Sequence, residues 1–356
     1  MAKLTSPRVS VVFTELAASA AARGEKGTVA LIVRDESGVP PAALSQAAQT
    51  PAKLSQENQD YIRRAFLGYT APPRKVIVCA MGGEDGLDAA LDYMAAQTFD
   101  YLCGPADCTA EEAEQIAAWV KAQRRDNGAK FKAVLPNCAA DDCAVVNFTG
   151  SGMTDGTGVW ATAEYCSRIA GLLAGTPMTI SATYAPLPEL SDCARLTREE
   201  SDAAVGAGQL ALKWDGRRVK LDRAVTSLTT TGDGVQDSFK KIKLVEVMDL
   251  IRTDITAAAE DGYVGRYANS YDNKLLLVAA VRGYLMGLAQ EGLVQPGYTV
   301  DLDLEAQERY LAGLGMDTDG LSGQALREAD TGSHVFLKVA CKLLDAIEDI
   351  DVAVTI

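Results

Sequence analysis

The residue types best suited to chemistry fall in a few short stretches. The glycine-rich run "TGSGMTDGTG" (residues 149–158) follows a strand-like segment and precedes a helical one. That is the setting of a phosphate-binding turn, in which backbone N–H groups and a helix N-terminus face an anion. Gly150 and Gly152 supply G-x-G, but Asp155 stands where the third glycine of the dinucleotide fingerprint belongs, and no lysine follows as in a Walker loop. An acid aimed at a pyrophosphate repels it, so a surface loop is the stronger reading. A nucleotide-dependent α/β enzyme using loop 149–158 is the alternative.

"DTGS" (Asp330–Ser333) matches the aspartic-protease tetrad, a chemistry that needs two such carboxylates sharing a proton. The chain has no second D-T/S-G, and the stretch reads as a turn into the next strand. His334 is the only histidine, and no G-x-S-x-G elbow frames a serine for it; Ser151 is the best serine and a weak one. Of the eight cysteines, Cys103/Cys108 and Cys138/Cys143 have C-x4-C spacing, which admits a four-thiolate zinc site. Cys103 and Cys138 each close an apparent strand, where a buried thiol acting as a small hydrophobe is the better reading. The sequence therefore assigns no catalytic residue, no cofactor and no metal.

Positioning elements explain more of the chain. Its 356 residues, 48 % hydrophobic and 23 % charged, suffice for a sizeable core. No apolar run reaches the roughly 18 residues of a membrane span, and "MAKLTSPRVS" lacks a signal-peptide core. The expectation is a soluble chain that stays where it is made. A net charge of −14 argues against nucleic acid or an anionic membrane as partner.

From residue 27 the pattern alternates. "TVALIVRD", "KVIVCA", "FDYLCG", "FKAVLP" and "AVVNFT" read as buried strands. "KLSQENQDYIRRAFLGY", "LDAALDYMAAQ", "CTAEEAEQIAAWVKAQRRDNG" and "WATAEYCSRIAGLLAG" read as the helices between and after them. Continuous apolar strands alternating with amphipathic helices predict a parallel sheet covered on both faces. A further helix starts at "TREES", and "QLALKWDGRRVKLDRAVTS" reads as a hairpin turning at Asp215-Gly216.

Past residue 235 two long helices ("DSFKKIKLVEVMDLIRTDITAAAEDG" and "SYDNKLLLVAAVRGYLMGLAQEG"), a strand "YTVDLDL", a short helix near "EAQERYLAGLG" and a strand "HVFLKVACKLL" predict an α+β domain. The expected organisation is an N-terminal arm and linker (1–26), an α/β body (27–235), an α+β domain (236–345) and a C-terminal β arm (346–356). Lys240, Lys241, Lys243 and Arg252 form a basic cluster at the start of the first long helix. Cations there oppose the helix dipole, so a compensating partner is expected.

Both termini read as extended arms. In "PRVSVVFTE" (7–15), Val9, Val11 and Phe13 alternate, and "LAASAAARGEKG" (16–27) reads as a linker. In "EDIDVAVTI" (348–356), Ile350, Val352, Val354 and Ile356 share one side of a strand. Two pairings remain open for that strand: one edge against its own "HVFLKVACKLL" with the other open to an arm of a neighbouring chain, or donation of the whole strand outward.

Four segments resemble contractile phage tail sheath proteins, especially the short sheath subunits of myophage-like prophages and R-type bacteriocins of Gram-positive bacteria. They are "YCSRIAGLLAGTPMTISATYAPL", "KKIKLVEVMDLI", "RYANSYDNKLLLVAAVRGYL" and "GSHVFLKVACKLLDAIEDIDVAVTI". The resemblance implies that the α/β body is a subtilisin-like sheath domain without protease activity. It also implies that residues 236–345 form the inner domain that faces the tail tube. Val9, Val11, Phe13, Ile350, Val352, Val354 and Ile356 would lie in strands exchanged between subunits. Lys240, Lys241, Lys243 and Arg252 are candidates for tube contact on charge alone. The implied partners are other copies of the chain, the tube protein, and baseplate and tail terminator proteins. The implied location is a virion or bacteriocin particle, reached from the bacterial host cytoplasm, and the implied action is contraction from an extended to a compact helical lattice.

Overall fold

The computed structural model describes residues 26–82, 86–232 and 234–355. Val9, Val11, Phe13 and Ile356 lie outside these residues. In chain order the first half contains β1 (Thr28–Arg34), β2 (Ala42–Leu44), α1 (Gln56–Ala65), β3 (Lys75–Met81), α2 (Gly86–Ala95), β4 (Tyr101–Cys103), α3 (Ala110–Asp126), β5 (Lys132–Pro136) and β6 (Val145–Phe148). Then follow β7 (Met153–Thr154), β8 (Val159–Trp160), α4 (Thr162–Ala174), α5 (Arg198–Gly206), β9 (Gln209–Leu210), β10 (Leu212–Trp214) and β11 (Val219–Leu221).

A seven-stranded sheet has the order β2-β3-β1-β4-β5-β6-β9, parallel throughout except for β2, which runs antiparallel to β3 at the edge. The central strand β1 shows why its sequence does not alternate. Val29, Leu31 and Val33 face a core that includes Tyr61, Ile62, Tyr165, Ile169 and Leu172 of α1 and α4. Ala30 and Ile32 face a second core with Leu87, Leu91, Ile116 and Val120 of α2 and α3. Both sides of the strand leave water, so both parities must be apolar.

Helix ends follow their capping residues. Ser55, Thr109 and Thr197 accept backbone N–H groups at the starts of α1, α3 and α5, and Glu112 and Glu200 complete capping boxes. Helix α4 approaches α1 unusually closely along small residues. Ser167 donates to the Tyr61 carbonyl at 2.7 Å. A Cβ on Gly171 would sit 1.8 Å from the Ala65 carbonyl oxygen, and one on Gly175 would sit 2.0 Å from that of Ala71. The i, i+4, i+8 spacing of Ser167, Gly171 and Gly175 therefore lets two backbones touch.

The second half contains α6 (Ile242–Gly262), α7 (Tyr271–Gln290), β12 (Thr299–Leu302), α8 (Leu304–Gly313), α9 (Gly323–Glu328) and β13 (Leu337–Ala340). Residues 246–345 form one compact unit. Residues 26–245 form the other, and residues 346–355 belong with it.

Two expectations change. The first long helix begins at Ile242, because residues 237–240 form a 3-10 turn and Lys241 is extended, bridged to Val225. Lys240 and Lys241 thus precede the helix and do not oppose its dipole from inside. The strand expected at 348–356 is absent over residues 346–355. The partner of β13 is β12, antiparallel from Thr299↔Ala340 to Leu302↔Leu337, which buries Val300 and Leu302. Backbone donors and acceptors along that side of β13 are therefore already used within its own unit.

Gly171→Ala must push two backbones apart and is expected to cost about 1–3 kcal/mol. Thermal unfolding followed by circular dichroism checks this, at about 2–4 °C per kcal/mol for a unit of this size. Asp141 gives a pH dependence. Its carboxylate accepts the backbone N–H groups of Thr230 and Thr229 and the Thr229 hydroxyl, which holds it well below the usual carboxylate range. A carboxyl depressed on folding stabilises above its unfolded pKa, near 4, and that contribution fades as pH falls through the folded value. Urea unfolding of Asp141→Asn is therefore expected to show a smaller loss of stability than the parent between pH 6 and pH 3.

Candidate assembly surface

Beyond β13 the chain returns to the α/β unit and crosses it without entering a sheet. Ile347, Ile350, Val352 and Val354 are 86 %, 75 %, 76 % and 78 % exposed. Three of the seven residues assigned to a subunit interface, Ile350, Val352 and Val354, thus form a solvent-facing apolar series; the other four lie outside the described residues. Exposure of several β-branched side chains at period 2 marks an unpaired strand rather than a packed loop.

One side chain in this tail is buried. The Glu348 carboxylate is 4 % exposed. Its Oε1 accepts the Ser181 hydroxyl at 2.9 Å and the Thr183 hydroxyl at 2.6 Å, and its Oε2 accepts Lys241 Nζ at 2.9 Å. Arg223 Nε stands 3.9 Å from Oε2, while its Nη2 donates to Asp349. The hydrogen bond to Asp349, more than any other influence, raises the Arg223 pKa. Both hydroxyls are oriented by the fold: Thr183 N–H donates to Ser181 Oγ at 3.1 Å, and Ala224 N–H donates to Thr183 Oγ1 at 3.0 Å. Ser181 Oγ also lies 3.0 Å from Thr183 Oγ1, so the two hydroxyls and the carboxylate oxygen form one connected group held in place by backbone N–H groups.

The other terminus of the body is also held by an acid. Asp100 Oδ2 accepts the N–H groups of Gly27 and Thr28 at 2.8 and 2.9 Å, and Lys26 Nζ donates to the Thr176 carbonyl at 2.7 Å.

The four cations suggested for tube contact have different surroundings. Lys240 pairs with Asp237 at 2.8 Å, Lys241 with Glu348, and Lys243 is 4 % exposed. Arg252, half-buried, lies two turns further along α6 in the second unit. Burial removes Lys243 from the exposed charge of this chain. The compensation expected for the cluster comes to Lys241 from the tail, a partner more than 100 residues away, which sequence spacing cannot reveal.

The chemical motifs resolve into structure. Loop 149–158 is the β7–β8 hairpin, and its N–H groups are turned inward: Asp155 Oδ1 accepts Thr157 N at 2.8 Å and Gly158 N at 3.3 Å. Burial pushes the Asp155 pKa up, but these hydrogen bonds outweigh it and hold the acid ionised. The N-terminal Ala161 amide of α4 is taken by Glu164 at 2.6 Å. The N–H groups of Thr157, Gly158 and Ala161 are thus taken by carboxylates and are not open to a phosphate.

Asp330–Ser333 forms a turn before β13, with Gly332 N–H on Asp330 Oδ1 at 2.8 Å and Asn269 Nδ2 on the Gly332 carbonyl at 2.7 Å. His334 Nδ1 lies 3.0 Å from the Tyr310 hydroxyl and its ring packs against Tyr310 and Phe336. Burial pushes the thiols of Cys103 and Cys166 well up, so they stay protonated. Among the described residues, no three His, Cys, Asp or Glu side chains group to hold a metal, and no helix is long and apolar enough to cross a membrane.

Comparison with known proteins agrees with an assembly role. The family model of the phage tail sheath protein central domain matches residues 58–227, and that of the phage tail sheath C-terminal domain matches residues 235–356. The tail sheath protein of Clostridium phage phiCD119 is 36 % identical over 351 residues, 97 % of this chain and 98 % of the relative. The crystal structure of a sheath tail protein from Desulfitobacterium hafniense has the same fold, with a TM-score of 0.67 at 17 % identity over 83 % of this chain and 94 % of the other. A chain of the contracted helical sheath of the anti-feeding prophage superposes with a TM-score of 0.66 at 13 % identity, over 99 % of both. These relatives are structural proteins of tails and not enzymes. With both family domains matched in order along a mostly parallel α/β body, the chain belongs to the phage tail sheath protein family.

Proposed function

We propose that this sheath subunit polymerises into a helical sleeve around a tail tube through strands exchanged at its termini. On triggering, the sleeve contracts from an extended to a compact lattice and drives the tube through the target envelope. The observation that carries this reading is the exposed, alternating series Ile350, Val352 and Val354 on a tail without strand pairing in its own chain. An extended segment with one apolar side gains main-chain hydrogen bonds and burial by adding to a sheet edge of another subunit. The two-stranded sheet β12–β13 is the edge best suited to receive it. Val9, Val11, Phe13 and Ile356 complete the proposed exchange.

In this reading residues 1–26 are the N-terminal arm, 27–235 the sheath body, 236–345 the tube-facing domain and 346–356 the donated arm. Subunits turn as rigid bodies during contraction while the exchanged strands keep the lattice connected. Of the cations considered for the tube, Lys240 and Arg252 are the ones that keep part of their side chains at the surface without a bond to the tail. The partners are then further copies of the chain, the tube protein, and the baseplate and terminator proteins that bound the sleeve. The subunit is made in the host cytoplasm and ends in the phage or bacteriocin particle.

Deletion of residues 350–356 is expected to leave a folded chain with unchanged far-ultraviolet circular dichroism and no tubes in negative-stain micrographs. Val352→Asp, which puts a charge on the strand's apolar side, is expected to raise the concentration needed for assembly by about tenfold or more. Abundant sheath-like tubes from the deletion variant would overturn the exchange.

A further inference from the structure

We infer that Ser181, Thr183, Arg223 and Lys241 form a receptor for the Glu348 carboxylate, and that this clamp fixes the point at which the C-terminal arm leaves the body. The donors come from three separate stretches of one compact unit, and the acceptor comes from the far end of the chain. Four features separate this arrangement from an incidental surface ion pair. The carboxylate is 4 % exposed. Both its oxygens are satisfied, one by hydroxyls and one by a cation. The hydroxyls are pre-aimed by backbone N–H groups. Lys241 is itself fixed, through the bridge to Val225 and the bond from Thr226 N–H to the Lys240 carbonyl at 2.8 Å.

The clamp divides the tail into two parts. Ile347 on one side and Ile350 on the other are both exposed, so apolar packing does not hold this stretch down; the acid between them does. Buried, charge-assisted hydrogen bonds are the strong kind, and they are directional where apolar contact is not. The arm is therefore free only from about Ile350 onward, and it starts from a fixed position and direction. Without the clamp, residue 348 is released as well. A longer, undirected arm has a lower effective concentration at a fixed acceptor edge, so exchange weakens although every residue of the exchanged strand is intact.

The assembly consequence rests on the arm-exchange reading above, whereas the clamp itself does not. The test uses the full-length chain as Glu348→Ala and as Thr183→Val, the latter leaving the tail sequence untouched. Each is digested with a carboxypeptidase and followed by intact mass, and each is assayed for tube formation by sedimentation and negative stain. Trimming of the parent is expected to stall at Asp349 or Glu348. In both variants it is expected to pass residue 348 roughly tenfold faster. The concentration needed for tubes is expected to rise severalfold, with thermal unfolding of the body unchanged within a few degrees.

Parent-like stalling in both variants overturns the clamp. Faster trimming with undiminished assembly overturns its positioning role. Failure of the exchange reading itself has a different signature: tubes from the 350–356 deletion, with the trimming contrast between parent and variants still present.

Discussion

An extended segment that is apolar on every second residue must either bury that side or leave it in water, and the tail of this chain leaves it in water. The rest of the structure is arranged around that condition. A strand cannot lie on an edge whose hydrogen-bonding groups are already used, and on one of its two sides β13 spends them on β12. The tail also cannot simply fray, because a buried carboxylate holds it two residues before its first exposed valine-type position. Glu348 is thus the buried anchor of a segment whose apolar side chains Ile347, Ile350, Val352 and Val354 are exposed. At the opposite end of the body, Asp100 fixes the entry of β1 in the same way, through two backbone N–H groups.

The body between these anchors is stiff for reasons that have nothing to do with chemistry on a substrate. Its sheet is covered on both faces, its central strand is apolar at both parities, and α4 touches α1 at Gly171, which admits no Cβ. Close packing of this kind transmits displacement instead of absorbing it. That suits the rigid-body movement proposed for the subunit. The features that resemble catalytic motifs are spent on the same end: Asp155 braces its own hairpin, and the tetrad at 330–333 braces the turn into β13. His334 is packed between aromatic rings.

Most elements of the body were legible because each strand and helix signals itself over a few consecutive residues. The capping box at Thr109 and Glu112, the apolar run of β1 and the Asp215-Gly216 turn are local features, and local physics decides them. Strand β2 was not legible. It follows Pro40 and Pro41, which read as a break, and it is tolerated because it sits at the sheet's edge, where a missing donor costs little. The β7–β8 hairpin was hidden for a related reason: four glycines mask two-residue strands whose pairing depends on Asp155.

The sequence by itself determined the fold class, the absence of an ordinary catalytic signature and the apolar alternation of the tail, since all three are written in residue types and short spacings. Only the tertiary structure decided where that tail goes. Ser181, Thr183, Arg223, Lys241 and Glu348 are scattered over 168 positions, and no periodicity links them. Their meeting is a product of the α/β unit's packing. The same holds for Lys241, which in sequence belongs to a basic cluster and in space belongs to the tail. Charge is visible in one dimension, but the partner that neutralises it is chosen in three.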